Sequence, residues 1–430
     1  MRSNDFRELF GSTAFTLLLL VAGPLTGMSF IAAVRAYAEA SGSGGPAALA
    51  SALSPLDGLL VPALGALDLL ITFLVPFVAI RLVSAEKTSG ALKLLLQTPV
   101  SLGSQLASKL LALLLGWSAC LLPAAAALVL WRTYGGHLAF GETANLLLGH
   151  TLRYLLTCCL AIAAAAIFDG AASAAIAVLS FTIGTWALDF FAAGRGGWIA
   201  AIAQFTPPAM LRRFERGLLS ADAVLAPLVA SVLLLAIAAA FLNLRLSVRA
   251  RAARIGIALA VAMLSFALLR GNRSADVSED RRNSFSPADE RLLRSVEAPV
   301  TIRVHLAAED PRAGDYERNV LTKLRRTLRA LRVEYPYAGR SALFENDDRY
   351  GTIAYRIGAK ETVSRSTTEE IVLDELETLA GLAPPQRGEA AYPGYPLNAA
   401  PRGAALFFYI VWPLLVMAPR LPRPSSRRTG

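Results

Sequence analysis

The chain has 430 residues, 55% of them hydrophobic and only 17% charged, with a mean hydropathy of +0.49. A soluble chain carries nearer a quarter charged residues, so an ordinary soluble multidomain protein is excluded. The net charge of +10 would suit nucleic acid or an anionic membrane surface. Much of the basic excess flanks apolar runs, where membrane topology requires it, and nucleic acid is set aside as a partner.

A membrane-spanning helix needs about 20 mostly apolar residues, because lipid leaves no backbone polar group a partner outside the segment. Eight stretches qualify in chain order: 12–34, 59–83, 108–131, 146–168, 171–193, 223–243, 255–270 and 404–419, the last two being short. The first is too long for a signal peptide and lacks a clear cleavage site, so it is expected to stay as an anchor. Cys120, Cys158 and Cys159 all fall inside apolar stretches, without CxxC or metal spacing, and read as small core hydrophobes. Trp131, Trp186, Trp198 and Trp412 sit toward span ends, where amphipathic rings favour the membrane interface; Trp117 lies deeper.

Short basic loops set the orientation. Arg81, Lys87, Lys93 and Lys109, then Arg245, Arg249, Arg251 and Arg254, and finally Arg420, Arg423, Arg427 and Arg428 share one side if there are eight spans. The positive-inside bias makes that side, and both termini, cytoplasmic. The loop 194–222 disagrees, with Arg195, Arg212, Arg213 and Arg216 on the opposite side.

Residues 271–403 form the one sizeable soluble segment, extracytoplasmic by this topology. Val300, Ile302, Val304 and Leu306 alternate as a half-buried strand, and so do Ile353, Tyr355 and Ile357. Residues 314–331 place Val320, Leu321, Leu324, Leu328 and Leu331 on one helical face. A further helix has Thr367 and Glu370 at capping-box spacing and stops at Gly381. Its acids Glu369, Glu370, Asp374 and Glu377 read as a solvated face, and the stretch 382–403 as a linker back to the membrane. The fold class is therefore mainly α: a polytopic helical membrane protein with a small α/β extracytoplasmic domain.

The segment from Ala85 to Leu110 is amphipathic and lies between two spans, so it can rest on a membrane surface or dock onto a partner. Glu86, Gly90-Ala91-Leu92, Leu95-Leu96 and Thr98-Pro99-Val100-Ser101, followed by Lys109, resemble the type-2 ABC transporter permease family, of the gliding-motility and multicopper-maturation kind. Where that family reads Gly-Thr-Leu-Glu, this chain reads Gly90-Ala91-Leu92-Lys93, with the last charge reversed. Phe205-Thr206-Pro207, Phe214, Arg216-Gly217-Leu218-Leu219 and Asp222 resemble the stretch before the family's last permease helix; Phe6-Arg7-Glu8-Leu9 and Leu25-Thr26-Gly27 fit its opening. The likeness covers roughly residues 1–250. From Val277 to Arg282, at Phe285-Ser286-Pro287-Ala288 and at Pro299-Val300-Thr301-Ile302, the chain is similar to the ABC auxiliary family, in which a membrane anchor leads into a longer extracytoplasmic domain.

These resemblances imply a six-span permease domain at 1–250, a seventh span at 251–270, the auxiliary-like domain and linker at 271–403, and an eighth span with a basic tail at 404–430. They imply a bacterial inner-membrane exporter subunit whose segment around Glu86, Gly90, Leu92, Leu96 and Pro99 contacts a separate ABC ATP-binding subunit. ATP and Mg belong to that subunit, and no cofactor is expected on this chain. The other expected partners are a second copy or homologous permease, membrane lipid and a periplasmic partner.

The residues agree in what they lack. There is no GxxxxGK[ST] phosphate loop and no HExxH or other metal spacing around His137, His150 or His305. No catalytic pairing emerges, so the chain is not expected to be an enzyme. Asp68 is the clearest intramembrane acid, facing the bundle and accepting hydrogen bonds or serving a substrate or proton; Asp169 and Asp189 lie at helix ends. Arg153 is expected to snorkel outward. An ion-gradient-driven secondary transporter and an envelope-anchoring protein remain the alternatives.

Overall fold

The computed structural model describes residues 2–42, 54–91, 101–192, 197–268, 274–307, 310–337, 348–385, 392 and 394–420. By its contacts the chain divides into two units. The helical unit comprises Met1–Thr182, Val224–Arg270 and Pro393–Gly430; the α/β unit comprises Ile183–Ala223 and Gly271–Tyr392. The stretch between the fifth and sixth spans thus belongs, by contact, with the sheet-bearing domain.

Among the described residues, a short helix α1 (Arg2–Gly11) precedes seven helices long and apolar enough to cross a membrane. They are α2 (Thr13–Gly42), α3 (Leu56–Thr88), α4 (Leu102–Thr133), α5 (Phe140–Ile167), α6 (Ala171–Ala192), and, after a break, α9 (Ala221–Leu242) and α10 (Val248–Leu268). The chain is accordingly a multi-pass membrane protein of mainly helical class. All but α6 run beyond the range hydropathy marked at one end or both, because polar residues extend the helices past their apolar centres. The last stretch gives only a shorter helix, α14 (Ala404–Met417), below the length of the seven.

What α14 lacks in length it makes up in fit. A Cβ at Gly23 would fall inside the Trp412 indole, and one at Gly27 inside the Phe408 ring. The two glycines, four residues apart on α2, form a notch for two rings four residues apart on α14, the small-residue packing by which helices approach closely in lipid. Trp412 Nε1 donates to the Leu19 carbonyl at 2.7 Å. Trp412 is 6% exposed, so it is a packing residue rather than an interface anchor. Upstream, Tyr37 Oη donates to the Tyr395 carbonyl at 2.6 Å, and Leu397 N donates to Ser41 Oγ. Rising numbers from Phe408 to Trp412 meet falling numbers from Gly27 to Leu19, and the two helices run antiparallel. Trp131 is buried too, donating to the His137 carbonyl. Trp117 stacks on Tyr154 and donates to Thr151 Oγ1, a core contact. Trp186 and Trp198 are exposed, and the three cysteines are buried and free.

The α/β unit contains α7 (Gly197–Ala203), α8 (Pro207–Glu215) and β1 (Leu218–Ser220) ahead of α9, then β2 (Ser274–Asp276) and α11 (Pro287–Arg294). Its main sheet is built from β3 (Val300–Val304), β4 (Leu331–Glu334), β5 (Ile353–Ile357) and β6 (Lys360–Ser364) in the order β4-β3-β5-β6. β3 and β4 are parallel and the other pairs antiparallel. The parallel pair is joined by α12, which runs through Pro311–Tyr316, a π turn at Glu317–Leu321, and Thr322–Thr327. This is a βαβ unit, since parallel neighbours need a crossover. α12 ends four residues earlier than its pattern suggested, and Leu331 opens β4 instead.

Alternation carries the core. Val300, Ile302, Val304, Ile353 and Tyr355 point inward and meet Val320, Leu321 and Leu324 of α12, and Val372, Leu373 and Leu376 of α13 (Glu369–Ala380). The opposite positions, Arg303 and Glu334, pair across the strands at 2.9 Å. α13 starts one residue later than the capping box implied: Thr368 is the N-cap, without a side-chain bond, while Gly381 does end it at a φ of 78°. Its acids do not form one solvated face. Glu370 and Asp374 are exposed, Glu369 pairs with Lys323 at 2.7 Å, and Glu377 is fully buried.

Candidate functional site

Two charged constellations stand out in the helical unit, and both involve α3. The first gathers at the end of α3 from which the coupling-like segment departs. On α1, Leu9 is buried in the main core beside Phe15, which turns Asp5 toward α4. There Ser108 Oγ donates to Asp5 Oδ2 at 2.5 Å. Lys109, 5% exposed, places Nζ 2.5 Å from Glu86 Oε1, 3.3 Å from Asp5 Oδ1 and 3.1 Å from the Leu82 carbonyl. An ammonium has three protons, and here each has an acceptor. The Asp5, Glu8 and Glu86 carboxylates cluster closely enough to suggest a cation site, but Lys109 already supplies the positive charge between two of them.

The neighbouring Lys87 faces another way. Its Nζ donates to the carbonyls of Ala165, Ala166 and Phe168 at 3.1, 3.2 and 2.7 Å, and lies 3.7 Å from Asp169. A cation on the last carbonyls of a helix satisfies otherwise orphaned acceptors and complements the helix dipole. Consecutive residues Glu86 and Lys87 therefore tie the end of α3 to α1 and α4 on one side and to α5 on the other. The helix stops at Thr88, and Gly90 turns the chain with a φ of 75°, which glycine tolerates best. Of the sequence-derived coupling residues, the structure places Glu86 and Gly90 at this clamped root; Leu92, Leu96 and Pro99 lie outside the described residues.

Removing the lysine should loosen the root. Lys109→Met leaves Asp5 and Glu86 facing each other without a counter-charge, a loss of about 3 kcal/mol by analogy with other broken buried pairs. Amide exchange along residues 5–11 is expected to rise roughly a hundredfold, since each 1.4 kcal/mol is a factor of ten. Unchanged protection there would show that α1 is held by its apolar face alone.

The second constellation lies mid-helix. Asp68 of α3 and Arg153 of α5 form an ion pair, Nε to Oδ1 at 2.5 Å, with the Arg153 side chain 7% and the Asp68 side chain 34% exposed. Thr72, one turn along α3, accepts from Arg153 Nη2 at 3.3 Å. Arg153 therefore does not snorkel outward; its guanidinium turns inward because Asp68 offers a charge that lipid cannot. Asp68 of α3 thus pairs with a residue of the bundle, Arg153 of α5. Glu142 and Asn145 share the Arg153 face of α5, at spacings of three and then eight residues, and both are buried. Hydropathy missed them because the fourth span was taken to begin at 146, whereas α5 begins at Phe140. His150 is 1% exposed, and neither ring nitrogen has a partner among the described residues.

His305, at the end of β3, is also buried and stacks edge-on to Tyr337. No family model, curated protein or solved structure matches this chain.

Proposed function

We propose that this protein is the membrane-spanning permease subunit of an ATP-driven ABC exporter of a bacterial inner membrane, taking its energy from a separate ATP-binding subunit. The observation that carries the reading is the root of the 85–101 segment. Glu86 and Lys87 grip three neighbouring helices at the point where the segment leaves α3. A force applied to the segment would be spread into the bundle rather than lost in a loose loop. The resemblance of Glu86, Gly90, Leu92, Leu96 and Pro99 to a coupling helix supplies the partner, and ATP and Mg stay with that partner. The antiparallel seat of α14 on α2 supports an eighth crossing, with both termini cytoplasmic and residues 271–403 outside. The permease works with a second copy or a homologous chain.

Affinity purification from native membranes in mild detergent, with mass spectrometry and an ATPase assay, is expected to recover a Walker-motif protein with vanadate-sensitive hydrolysis. Leu92→Asp should abolish that recovery without disturbing the Lys109 cluster, which Glu86→Ala would also break. A complex without any ATPase, even after crosslinking in cells, overturns the proposal.

One observation favours a second reading, an ion-gradient-driven secondary transporter: the intramembrane Asp68–Arg153 pair with His150 nearby in sequence. On that reading transport survives loss of every ATPase and is abolished by Asp68→Asn.

A further inference from the structure

α6 ends and α9 begins inside the α/β unit, and the residues between them are tied to both. Arg212 and Arg213 are consecutive on α8, so their side chains diverge by about 100°. Arg212 holds Asp189 of α6 through two bonds of 2.5 Å. Arg213 pairs with Asp222 in the first turn of α9. One short helix thus grips the adjoining ends of two membrane helices. Asp189 holds the Arg212 guanidinium firmly charged, its pKa raised by that hydrogen bond.

The same stretch is joined to the sheet domain. β1 pairs antiparallel with β2, Leu218 opposite Asp276 and Ser220 opposite Ser274, and runs without an intervening residue into α9 at Ala221. Ahead of β1, Gly217 has a φ of 72°, and a Cβ there would meet Ser278 Cβ at 2.6 Å, Cα at 3.0 Å and N at 3.1 Å. No other residue type allows that approach. Asn283 Nδ2 donates to the Arg216 carbonyl at 2.6 Å, and Val277 N to the Gly217 carbonyl at 2.9 Å. Asp276 fixes the turn behind β2, accepting from Ser278 Oγ, Asn283 N and Ser284 Oγ at 2.6, 2.9 and 2.8 Å. Arg326 of α12 then donates to Ser274 Oγ at 2.8 Å and to the Asn283 carbonyl. From the core helix α12 to Asp189 and Asp222, every step is a paired backbone or a charged hydrogen bond.

An anchor would need none of this, since α10 already joins the domain to the membrane helices. We infer that the α/β unit is a strut acting on α6 and α9: β1 and α8 carry its displacements to the adjoining ends of those two helices. A ligand or partner that moves the domain would carry with it the ends of two helices, at Asp189 and Asp222, in the same chain. The inference is independent of what drives transport.

Physical coupling requires a measurement, and the buried cysteines leave the wild-type chain open to selective labelling. Spin labels at Ile183→Cys on α6 and Asp374→Cys on α13, both exposed, are read as a distance distribution in the full-length protein. A control pair, Val363→Cys with Asp374→Cys, reports the integrity of the domain. The first pair is expected to give one narrow distribution. Arg212→Ala with Arg213→Ala should widen it about twofold or more, by freeing the end of α6, while the control pair stays narrow. Gly217→Val should widen it too, by separating β1 from β2. If Gly217→Val also widens the control pair, the domain has unfolded and the arginine variant decides. A first pair already broad in the wild-type background, or still narrow in the arginine variant with the control intact, overturns the strut.

Discussion

Gly27→Leu is expected to drive α14 off α2. The Phe408 ring occupies the space a side chain at residue 27 would need, and the next contact up the helix, Trp412 over Gly23, has no more room. Lipid supplies no hydrophobic drive between helices, so α14 keeps its place through this close fit, the Trp412 bond to Leu19 and the 395–397 contacts with Tyr37 and Ser41. An overpacked site of this kind costs about 1–3 kcal/mol where neighbours can shift, and more here because both rings are buried. Amide exchange along 404–417 should rise at least tenfold, with Gly27→Ala giving a smaller rise and Phe408→Ala restoring part of the Gly27→Ala loss. Equal protection of 404–417 in wild type and Gly27→Leu would refute the seat.

The second large effect concerns the mid-helix pair. Arg153→Ala strands the Asp68 carboxylate and should cost about 2–3 kcal/mol, the lower part of the range for a broken buried pair, because a third of the Asp68 side chain stays accessible (34%). Removing both charges is a different matter: burying two ions is expensive, and a neutral pair of similar size is often as stable. Arg153→Met with Asp68→Asn should therefore recover most of the loss. Thermal midpoints in detergent measure both. A double variant as unstable as the single would mean that Arg153 acts through Thr72 and its packing rather than through Asp68.

Much of the membrane part was legible because lipid enforces length and apolarity, and seven of the eight stretches emerge as long helices. What hydropathy could not show was which polar residues those helices carry inward. Glu142 and Asn145 were lost to a span boundary set too late, and Arg153 was assigned to lipid because nothing local announces Asp68 as its partner. Trp412 illustrates the same limit: an aromatic near a span end reads as an interface anchor until the facing glycines are known. In the soluble segment, the alternation of Val300, Ile302 and Val304 survived intact, since period two is a local signal. Glu377 did not, because its burial depends on which helices cover the sheet. β1 and β2 were out of reach altogether. Three-residue strands have no period, and Leu218–Ser220 finds Ser274–Asp276 only across the whole of α9 and α10. Of the candidate coupling residues, Glu86 drew notice by its motif, but its lysine and aspartate partners are a helix and a chain start away.

The seat of α14 also sets an order of assembly. Trp412 and Leu19 stand 393 residues apart in the chain, so during synthesis α2 enters the membrane long before the rings that fill its notch exist. Its glycine face must wait, uncovered or lent to other contacts, while six further long helices and the entire sheet domain are made. Closure over so long a separation comes late, and it comes only if everything between has been threaded in register. The last helix thus works as a latch: a nascent chain halted anywhere before residue 404 leaves the Gly23–Gly27 notch of α2 without the Phe408 and Trp412 rings that fill it.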